Sequence, residues 1–373
     1  MTTLGLGLPR MHKEVGERRD FLPDIVRGVA DLDVRVVVEH GAGSAMGYTD
    51  ADYLAVGPAV TMGSEDDAFA QDVVLTLRAP DRLDVMRRGA VLVSMLHFPT
   101  RPKRVARLLE LGLDAISLDL LTDDMGGRLV VDGRDVAWNG LEAAFDVLER
   151  EWTEFAEPAR PPIRVTILGA GAIGKDAVEA ATKYGSLERA ARTAHLPGVE
   201  VTTIGRNLTA DARYMKDRFA VTDVLVDATQ RRRPSRPVVP NAWLACLPAH
   251  AVICDLVVDP YLLHESPPTV RGIEGIPQGD LDRWAFAPDD PAWDAVPHEV
   301  DHANRRWVVS CYSWPGVHPH ECMQLYGGQL APLLRALLRA GGARGLTADG
   351  EFHERALWRA SLRTWVGLHE AAV

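Results

Sequence analysis

The chain reads as an α/β protein of two Rossmann-like, doubly wound parallel-sheet domains with a cleft between them, its C-terminal helices returning to the first domain. Three observations carry that expectation. Short apolar strands alternate with segments of helical period over the first 140 residues. A second alternation opens at Ile163-Arg-Val-Thr-Ile-Leu-Gly-Ala-Gly-Ala-Ile-Gly-Lys175, where an apolar run breaks into G-x-G-x-x-G. The Pro-rich stretch Glu157 to Pro162 reads as a hinge between them, and 373 residues suffice for two cores.

In the first domain Leu4–Leu8, Val34–Val38, Val73–Leu77, Val91–Leu96 and Ala115–Leu118 read as strands, with Phe21–Val29 and Pro102–Leu111 as the helices between them. Leu141–Phe155 is a longer amphipathic helix that leads to the hinge. Beyond it Arg164–Leu168, Val199–Ile204, Val224–Asp227 and Val252–Val258 read as strands, Asp176–Tyr184 carries a helical pattern, and Ser186–Pro197 looks like an insertion. A polar, Pro-rich passage from Glu265 to Asn304 precedes the strand Trp307–Tyr312. Leu330–Ala340 and Phe352–Val366 are helical and are expected to pack on the first domain. The expected division is thus 1–140 with 316–373 as a substrate domain, and 141–315 as a dinucleotide domain.

Composition narrows the class. The chain is 47% apolar and 25% charged, with a net charge of −11 that disfavours nucleic acid as a partner. No stretch approaches the roughly 18 to 20 apolar residues that span a bilayer, and the N-terminus carries no charged and then apolar leader, so a cytoplasmic location is expected. The four cysteines show no framework spacing and are expected as buried thiols. Arg231-Arg232-Arg233 is the one dense basic run, either a solvated loop or a contact for a cofactor phosphate. His318-Pro-His-Glu-Cys322 invites a metal, but no second cluster supplies the remaining ligands, and none is expected.

The glycine loop has a mechanical logic. Gly169 allows the tight turn, Gly171 lets backbone amides approach a pyrophosphate, and Gly174 lets the helix pack on its strand. Ala172 and Ile173 lie at the start of that helix, whose N–H groups and dipole would hold the phosphates. The next strand ends Thr203-Ile-Gly-Arg-Asn207, with no acid for the adenosine ribose hydroxyls. Arg206 there suits a 2′-phosphate, which favours NADPH over NADH; otherwise it is a surface arginine. In the first domain Glu17-Arg18-Arg19, Leu77-Arg78-Ala79-Pro80 and Met95-Leu96-His97-Phe98 are the substrate candidates. A guanidinium holds a carboxylate in a fixed plane, and an imidazole exchanges a proton near neutral pH.

The order and spacing of these residues resemble the alanine dehydrogenase, pyridine nucleotide transhydrogenase and saccharopine dehydrogenase superfamily. Glu39-His-Gly-Ala-Gly-Ser-Ala-Met-Gly-Tyr-Thr-Asp-Ala-Asp-Tyr53 looks like that family's glycine-rich turn and following helix. The resemblance runs over most of the chain and is strongest in residues 4–140 and 163–174. It implies that Arg18 clamps the carboxylate of a 2-oxo acid and that His97 is the acid–base residue. Arg78 stands where both branches carry lysine; it can bind a carboxylate or polarise a carbonyl but cannot act as a base. Proton transfer then rests on His97 together with Asp259, with a structural role for Asp255 or Asp259 equally open. Leu118-Asp-Leu-Leu-Thr-Asp-Asp-Met-Gly-Gly-Arg128 resembles the saccharopine dehydrogenase branch, in which the position of Asp119 faces the distal amine of an amino-acid substrate. The neighbouring acid of that pattern is replaced by Ala79. Arg128, Asn207, Thr229, Ser313 and Trp314 complete the expected cofactor contacts.

The resulting expectation is an NADPH-dependent oxidoreductase of C–N bonds that condenses an amino acid's side-chain amine with a 2-oxo acid, in the opine manner. The alternatives are alanine dehydrogenase-like reductive amination with ammonia, and a non-catalytic NADP(H)-binding or sensor protein. The expected partners are small molecules (a 2-oxo acid and an amino acid), with neither nucleic acid nor membrane, and with homo-oligomers left open.

Overall fold

The computed structural model describes residues 3–11, 14–231 and 233–370; Arg232 of the basic run lies outside them. The chain divides into two compact units, residues 1–132 with 318–373, and residues 133–317.

The first unit opens with β1 (Leu4–Leu8), α1 (Pro23–Arg27), β2 (Val34–Glu39), α2 (Asp50–Leu54), β3 (Val60–Gly63), α3 (Glu65–Phe69), β4 (Val73–Arg78), β5 (Val91–Met95), α4 (Pro102–Leu111) and β6 (Asp114–Ser117). Its six strands are all parallel, in the order β3-β2-β1-β4-β5-β6. The order reverses between β1 and β4, so the carboxyl ends of those strands flank a crevice. Successive residues of one strand feed opposite cores: Val73 and Leu75 face one cluster, Val74 the other, and Val91 and Val93 oppose Leu92 in the same way. That alternation of two buried faces is why these strands read as continuous apolar runs.

The second unit comprises α5 (Gly133–Glu151), β7 (Ile163–Leu168), α6 (Ala172–Thr182), α7 (Leu187–Arg192), β8 (Val199–Ile204), α8 (Arg206–Thr209), α9 (Ala212–Phe219), β9 (Val224–Asp227), α10 (Asn241–Leu244), β10 (Val252–Asp255), β11 (Ala285–Phe286) and β12 (Trp307–Ser310). The sheet order is β11-β12-β10-β9-β7-β8, parallel except for β11 at the edge. Its reversal lies between β7 and β9, beside the glycine loop. One face packs Ile167, Val226 and Cys254 against α5 and α6, and the other packs Leu168, Leu225 and Ile253 against α9 and α10.

The chain then re-enters the first unit with α11 (Pro319–Arg339), α12 (Phe352–Arg359) and α13 (Leu362–Glu370). α11 lies on α1 and buries Cys322, Met323, Tyr326, Leu330, Leu333, Leu334, Leu337 and Leu338 in the core that holds Leu6 and Val36. Their spacing of three and four places them on one helical stripe. Among the described residues no helix is long and apolar enough to cross a membrane.

Several elements differ from the sequence expectation for local reasons. Helix 352–366 is broken into α12 and α13 because Ser361 Oγ accepts the Thr364 N–H (3.2 Å) and caps the second helix. The strand expected through Val258 ends at Asp255, whose Oδ1 accepts the N–H groups of Val257 (3.0 Å) and Val258 (2.9 Å) and turns the chain. The insertion 186–197 contains α7, fastened by Arg189 to the Tyr184 carbonyl (2.7 Å) and to Glu149. The helix expected from Leu141 begins eight residues earlier, at Gly133.

Candidate functional site

In the second unit the glycine loop forms as the sequence requires. Gly169 has φ +103, a conformation that favours glycine, and a side chain there would strike the Ala228 carbonyl. A Cβ on Gly174 would stand 2.1 Å from the Gly169 carbonyl oxygen, so the loop and the first turn of α6 touch backbone to backbone. Gly171 is different: nothing lies within 4 Å of its Cβ direction. Its side is open, which is the room a pyrophosphate needs. Ala172 begins α6 and is exposed, Ile173 packs against the core around Ile167, and Gly174 is buried.

A pocket of ≈ 600 Å³ opens beside this loop. It brings together Gly169, Gly171, Arg206, Asn207 and Thr229 with Arg231, Arg233 and Arg236. Arg206 follows β8 and donates to the Gln230 carbonyl (3.2 Å). Thr229 N–H donates to Asp227 Oδ1 (2.9 Å), fixing the turn out of β9. An open glycine, a helix start and cations where the second strand ends are the parts that can hold a dinucleotide's phosphates.

Not every expected cofactor residue joins that pocket. Arg128 belongs to the first unit, where it is exposed and bridges to Thr122. Ser313 is half-buried on the turn after β12. Trp314 is corrected to a core residue: it is 2% exposed, and its indole N–H is spent on the Asp255 carbonyl (2.8 Å).

Asp259 is also corrected. Its carboxylate is paired with Arg231, a guanidinium that also donates to the carbonyls of Pro234, Arg236 and Val270. That ion pair anchors a loop, and a carboxylate so engaged is a poor proton carrier. Asp255 is structural too, meeting the fully buried Arg271 at 3.2 Å. Beside it on β9, Asp227 is completely buried, and no partner for its Oδ2 stands among the described residues. Burial first, and then the charge of Asp255, push the Asp227 carboxyl well above the usual carboxylate range. Asp227 carries no sequence signal beyond its place at the end of β9, and Arg271 none within the polar passage after Glu265; reasoning from the sequence missed both.

In the first unit the substrate candidates sit at strand ends. Arg78 is the last residue of β4, and its Nε donates to Glu14 Oε1 (2.9 Å). It lines a ≈ 170 Å³ pocket with Arg10, Glu14 and Thr76. Arg18 is exposed and does not line that pocket. The buried guanidinium of this segment is Arg19, 2% exposed, which binds Glu17 through Nε (2.8 Å) and Nη2 (2.6 Å) and approaches the Cys322 sulfur at 3.8 Å. Arg19 was missed because a buried arginine and a surface arginine are adjacent in one dipeptide.

His97 follows β5 with φ +52, the left-handed region that costs a residue with a side chain about 1–3 kcal/mol. Asp119, just beyond β6, holds it there. The His97 backbone N–H donates to Asp119 Oδ1 (3.0 Å), and the ring Nδ1 stands 3.5 Å from Oδ2. Ser117 Oγ donates to the same Oδ1 (2.7 Å). Burial alone would raise the Asp119 pKa, but hydrogen bonds and charge from His97, with the Ser117 hydroxyl, hold it far below the usual range. The carboxylate expected to face a substrate amine is thus turned to the imidazole. Arg104, also missed, donates to the Leu96 carbonyl (2.9 Å); burial first, and then the nearby charges of Arg101 and Arg78, depress its pKa. A histidine and its carboxylate thus stand at the adjoining ends of β5 and β6, with Arg78 at the end of β4 and Arg104 reaching the Leu96 carbonyl from α4.

His320 of the histidine-rich run stacks on Tyr48, with Nε2 3.1 Å from the tyrosine hydroxyl. Among the described residues no three His, Cys, Asp or Glu side chains gather as a metal site.

Comparison with known proteins finds similarity in both sequence and fold. Residues 7–131 match the family described as alanine dehydrogenase/PNT, N-terminal domain. The alanine dehydrogenase of Halomonas elongata is 26% identical over 93% of this chain and 91% of its own. The NAD(P) transhydrogenase subunit alpha of Haemophilus influenzae is 22% identical over 90% of this chain and 66% of its own. Among solved structures, an L-alanine dehydrogenase superposes with a TM-score of 0.69 at 20% identity, covering 96% of this chain and 94% of that one. A transhydrogenase from Sinorhizobium meliloti gives 0.63 at 17%, covering 95% and 96%. Residues 7–131 are thus similar to the alanine dehydrogenase/PNT N-terminal domain, within a chain that has the two-sheet fold seen in an L-alanine dehydrogenase.

Proposed function

We propose that this protein is a nicotinamide-dependent amino-acid dehydrogenase that reductively aminates a small 2-oxo acid with ammonia, in the manner of alanine dehydrogenase. The observation that carries the reading is the His97–Asp119 pair. The opine-type reading needed Asp119 to face the second amine of an amino-acid donor, and its oxygens are engaged by His97 and Ser117 instead. A relative matched over nine-tenths of the chain also favours the simpler amination, since it is named alanine dehydrogenase.

In this reading each residue has one task. Asp119 keeps the imidazole oriented with Nδ1 toward its carboxylate, which leaves Nε2 to give a proton to the departing oxygen and to take one back in reverse. Arg78, whose planar guanidinium matches a carboxylate, grips the oxo acid's carboxylate from the end of β4, with Arg18 contributing from the exposed loop. The glycine loop and the start of α6 hold the coenzyme's pyrophosphate, and Arg206 favours NADPH over NADH. The coenzyme, when bound, supplies the hydride.

The test is NADPH and NADH oxidation with 2-oxo acids, given either ammonia or a diamino acid such as lysine or ornithine. Ammonia with pyruvate or another small oxo acid should suffice, and a diamino acid should add nothing. Turnover that required the diamino acid would restore the opine reading. Tight coenzyme binding without turnover for any pairing would leave a sensor.

A further inference from the structure

We infer that Arg233 and Arg236, on the loop after β9, join Arg206 to hold the 2′-phosphate of the coenzyme, making that loop the element that selects between the two nicotinamide dinucleotides. This rests on the dinucleotide reading above and adds two residues and a function to it. Three observations carry it. First, both arginines are exposed and line the same pocket as Gly169, Gly171 and Arg206, and none of the residues lining that pocket is acidic. In a chain of net charge −11 such a wall is a local reversal of sign.

Second, the loop lies where the adenosine ribose belongs. Arg206 Nη2 donates to the Gln230 carbonyl at 3.2 Å, so the loop after β9 runs beside the tip of β8. In this fold the ribose hydroxyls sit at the end of the second strand, while the pyrophosphate sits on the glycine loop. A group of cations at the β8 tip is therefore placed for an anion on the ribose. The hydroxyls of an unphosphorylated ribose would instead call for an acid there.

Third, the loop is held in place through its backbone and through Arg231, not through the side chains of Arg233 or Arg236. Arg231, whose side chain is 5% exposed, pairs with Asp259 and donates to the carbonyls of Pro234 (3.2 Å), Arg236 (3.2 Å) and Val270. It is the post on which the segment is fixed, and Arg233 and Arg236 extend from that fixed backbone. Planar guanidiniums suit a dianionic phosphate because each can present two parallel N–H groups.

The experiment is calorimetric titration of the full chain with 2′,5′-ADP and with 5′-AMP, which differ only in the 2′-phosphate. The unmodified protein should bind 2′,5′-ADP roughly 10- to 100-fold more tightly. Arg233→Ala and Arg236→Ala should each reduce that ratio several-fold, and the double variant should bring it close to that of Arg206→Ala, with 5′-AMP affinity unchanged throughout. Unaltered thermal melting establishes that these surface variants are folded. A ratio preserved in the double variant overturns the role of the loop while leaving the dinucleotide site standing. A ratio near one in the unmodified protein overturns selection for the 2′-phosphate altogether. Failure of both nucleotides to bind removes the dinucleotide reading itself, and this inference with it.

Discussion

At the scale of single residues, the proposed chemistry rests on the His97–Asp119 pair. In that proposal Asp119 reaches substrate only through the imidazole beside it, so the two side chains should fail as a unit. His97→Ala is expected to lower kcat/KM by roughly 10²- to 10⁴-fold, the usual worth of a positioned acid–base group. Asp119→Asn should cost about 10- to 100-fold, as loss of an orienting carboxylate does. In the His97→Ala background Asp119→Asn should then cost almost nothing, because residues acting through one another are not additive. A steady-state cycle of the four proteins reads this directly. If Asp119→Asn lowered kcat/KM equally with and without His97, the carboxylate would be acting on the substrate by itself. The residues that reading the sequence misplaced share one physical cause. Asp119, Asp259 and Trp314 stand near strand ends, where side chains can face a ligand or a neighbour, and spacing does not distinguish the two. Only the partners do: Asp119 faces His97, Asp259 faces Arg231, and Trp314 donates to the Asp255 carbonyl.

At the scale of elements, the β7–α6 junction and the β9–β10 ends make two separate predictions. The three glycines of the loop do different work, and alanine distinguishes them. Gly174→Ala places a Cβ 2.1 Å from the Gly169 carbonyl and should destabilise the fold by about 1–3 kcal/mol. Gly171→Ala meets nothing within 4 Å, so stability should stay within about 0.5 kcal/mol. The same change should abolish detectable nucleotide binding, because the methyl occupies the side left open for phosphate. Chemical denaturation with 2′,5′-ADP titration checks both, and a Gly171→Ala protein that bound normally would remove the phosphate from that side of the loop. The paired strand ends carry a pH dependence. Asp227 and Asp255 are register partners on β9 and β10, and the Asp227 pKa is raised in the fold by burial and by the Asp255 charge. A carboxyl whose pKa is raised on folding binds its proton more tightly when native. Its share of stability is complete below the ordinary carboxylate range and is lost as pH rises through the native pKa. Asp227→Asn, which stays neutral, lacks that loss. Its Tm relative to the unmodified protein should therefore climb as pH is raised from about 5 to about 8. A difference in Tm that is flat with pH would mean that Asp227 is ionised throughout. These elements were largely legible beforehand. β1, β8, β9 and α4 fall on the residues the pattern marks, since apolar strands between glycine or polar turns have few other readings. The short polar α3 and the two-residue β11 were not, because neither buries enough apolar surface to leave a period.

At the scale of the whole molecule, the chain leaves the first unit and returns to complete it. α11 supplies eight buried side chains to the core that contains Leu6 and Val36, and each large one contributes about 1.5–3 kcal/mol on burial. That sum, roughly 10–20 kcal/mol, is as large as the 5–15 kcal/mol of net stability typical of a domain, so residues 1–132 should not fold without the returning helices. Val131 and Gln329 exchange hydrogen bonds of 3.0 and 2.9 Å although 198 residues separate them, which ties the chain's exit from the first unit to α11. Gln329 lies about 15 Å along α11 from Pro319, so a Gly/Ser linker of about ten residues from Asp132 to His318 should span the gap and remove the second unit. The shortened protein should show a cooperative melt and native helix content, whereas residues 1–132 alone should give neither by circular dichroism. Residues 133–317, which hold both cores around β7 to β12, should fold alone and bind 2′,5′-ADP with the affinity of the full chain. The pocket proposed for the nucleotide lies wholly within residues 133–317, and the His97–Asp119 pair lies wholly in the other unit. The shortened protein should consequently bind no nucleotide while remaining folded. Nucleotide affinity that followed residues 1–132 and 318–373 instead would place the coenzyme on the first sheet and overturn the assignment of the glycine loop.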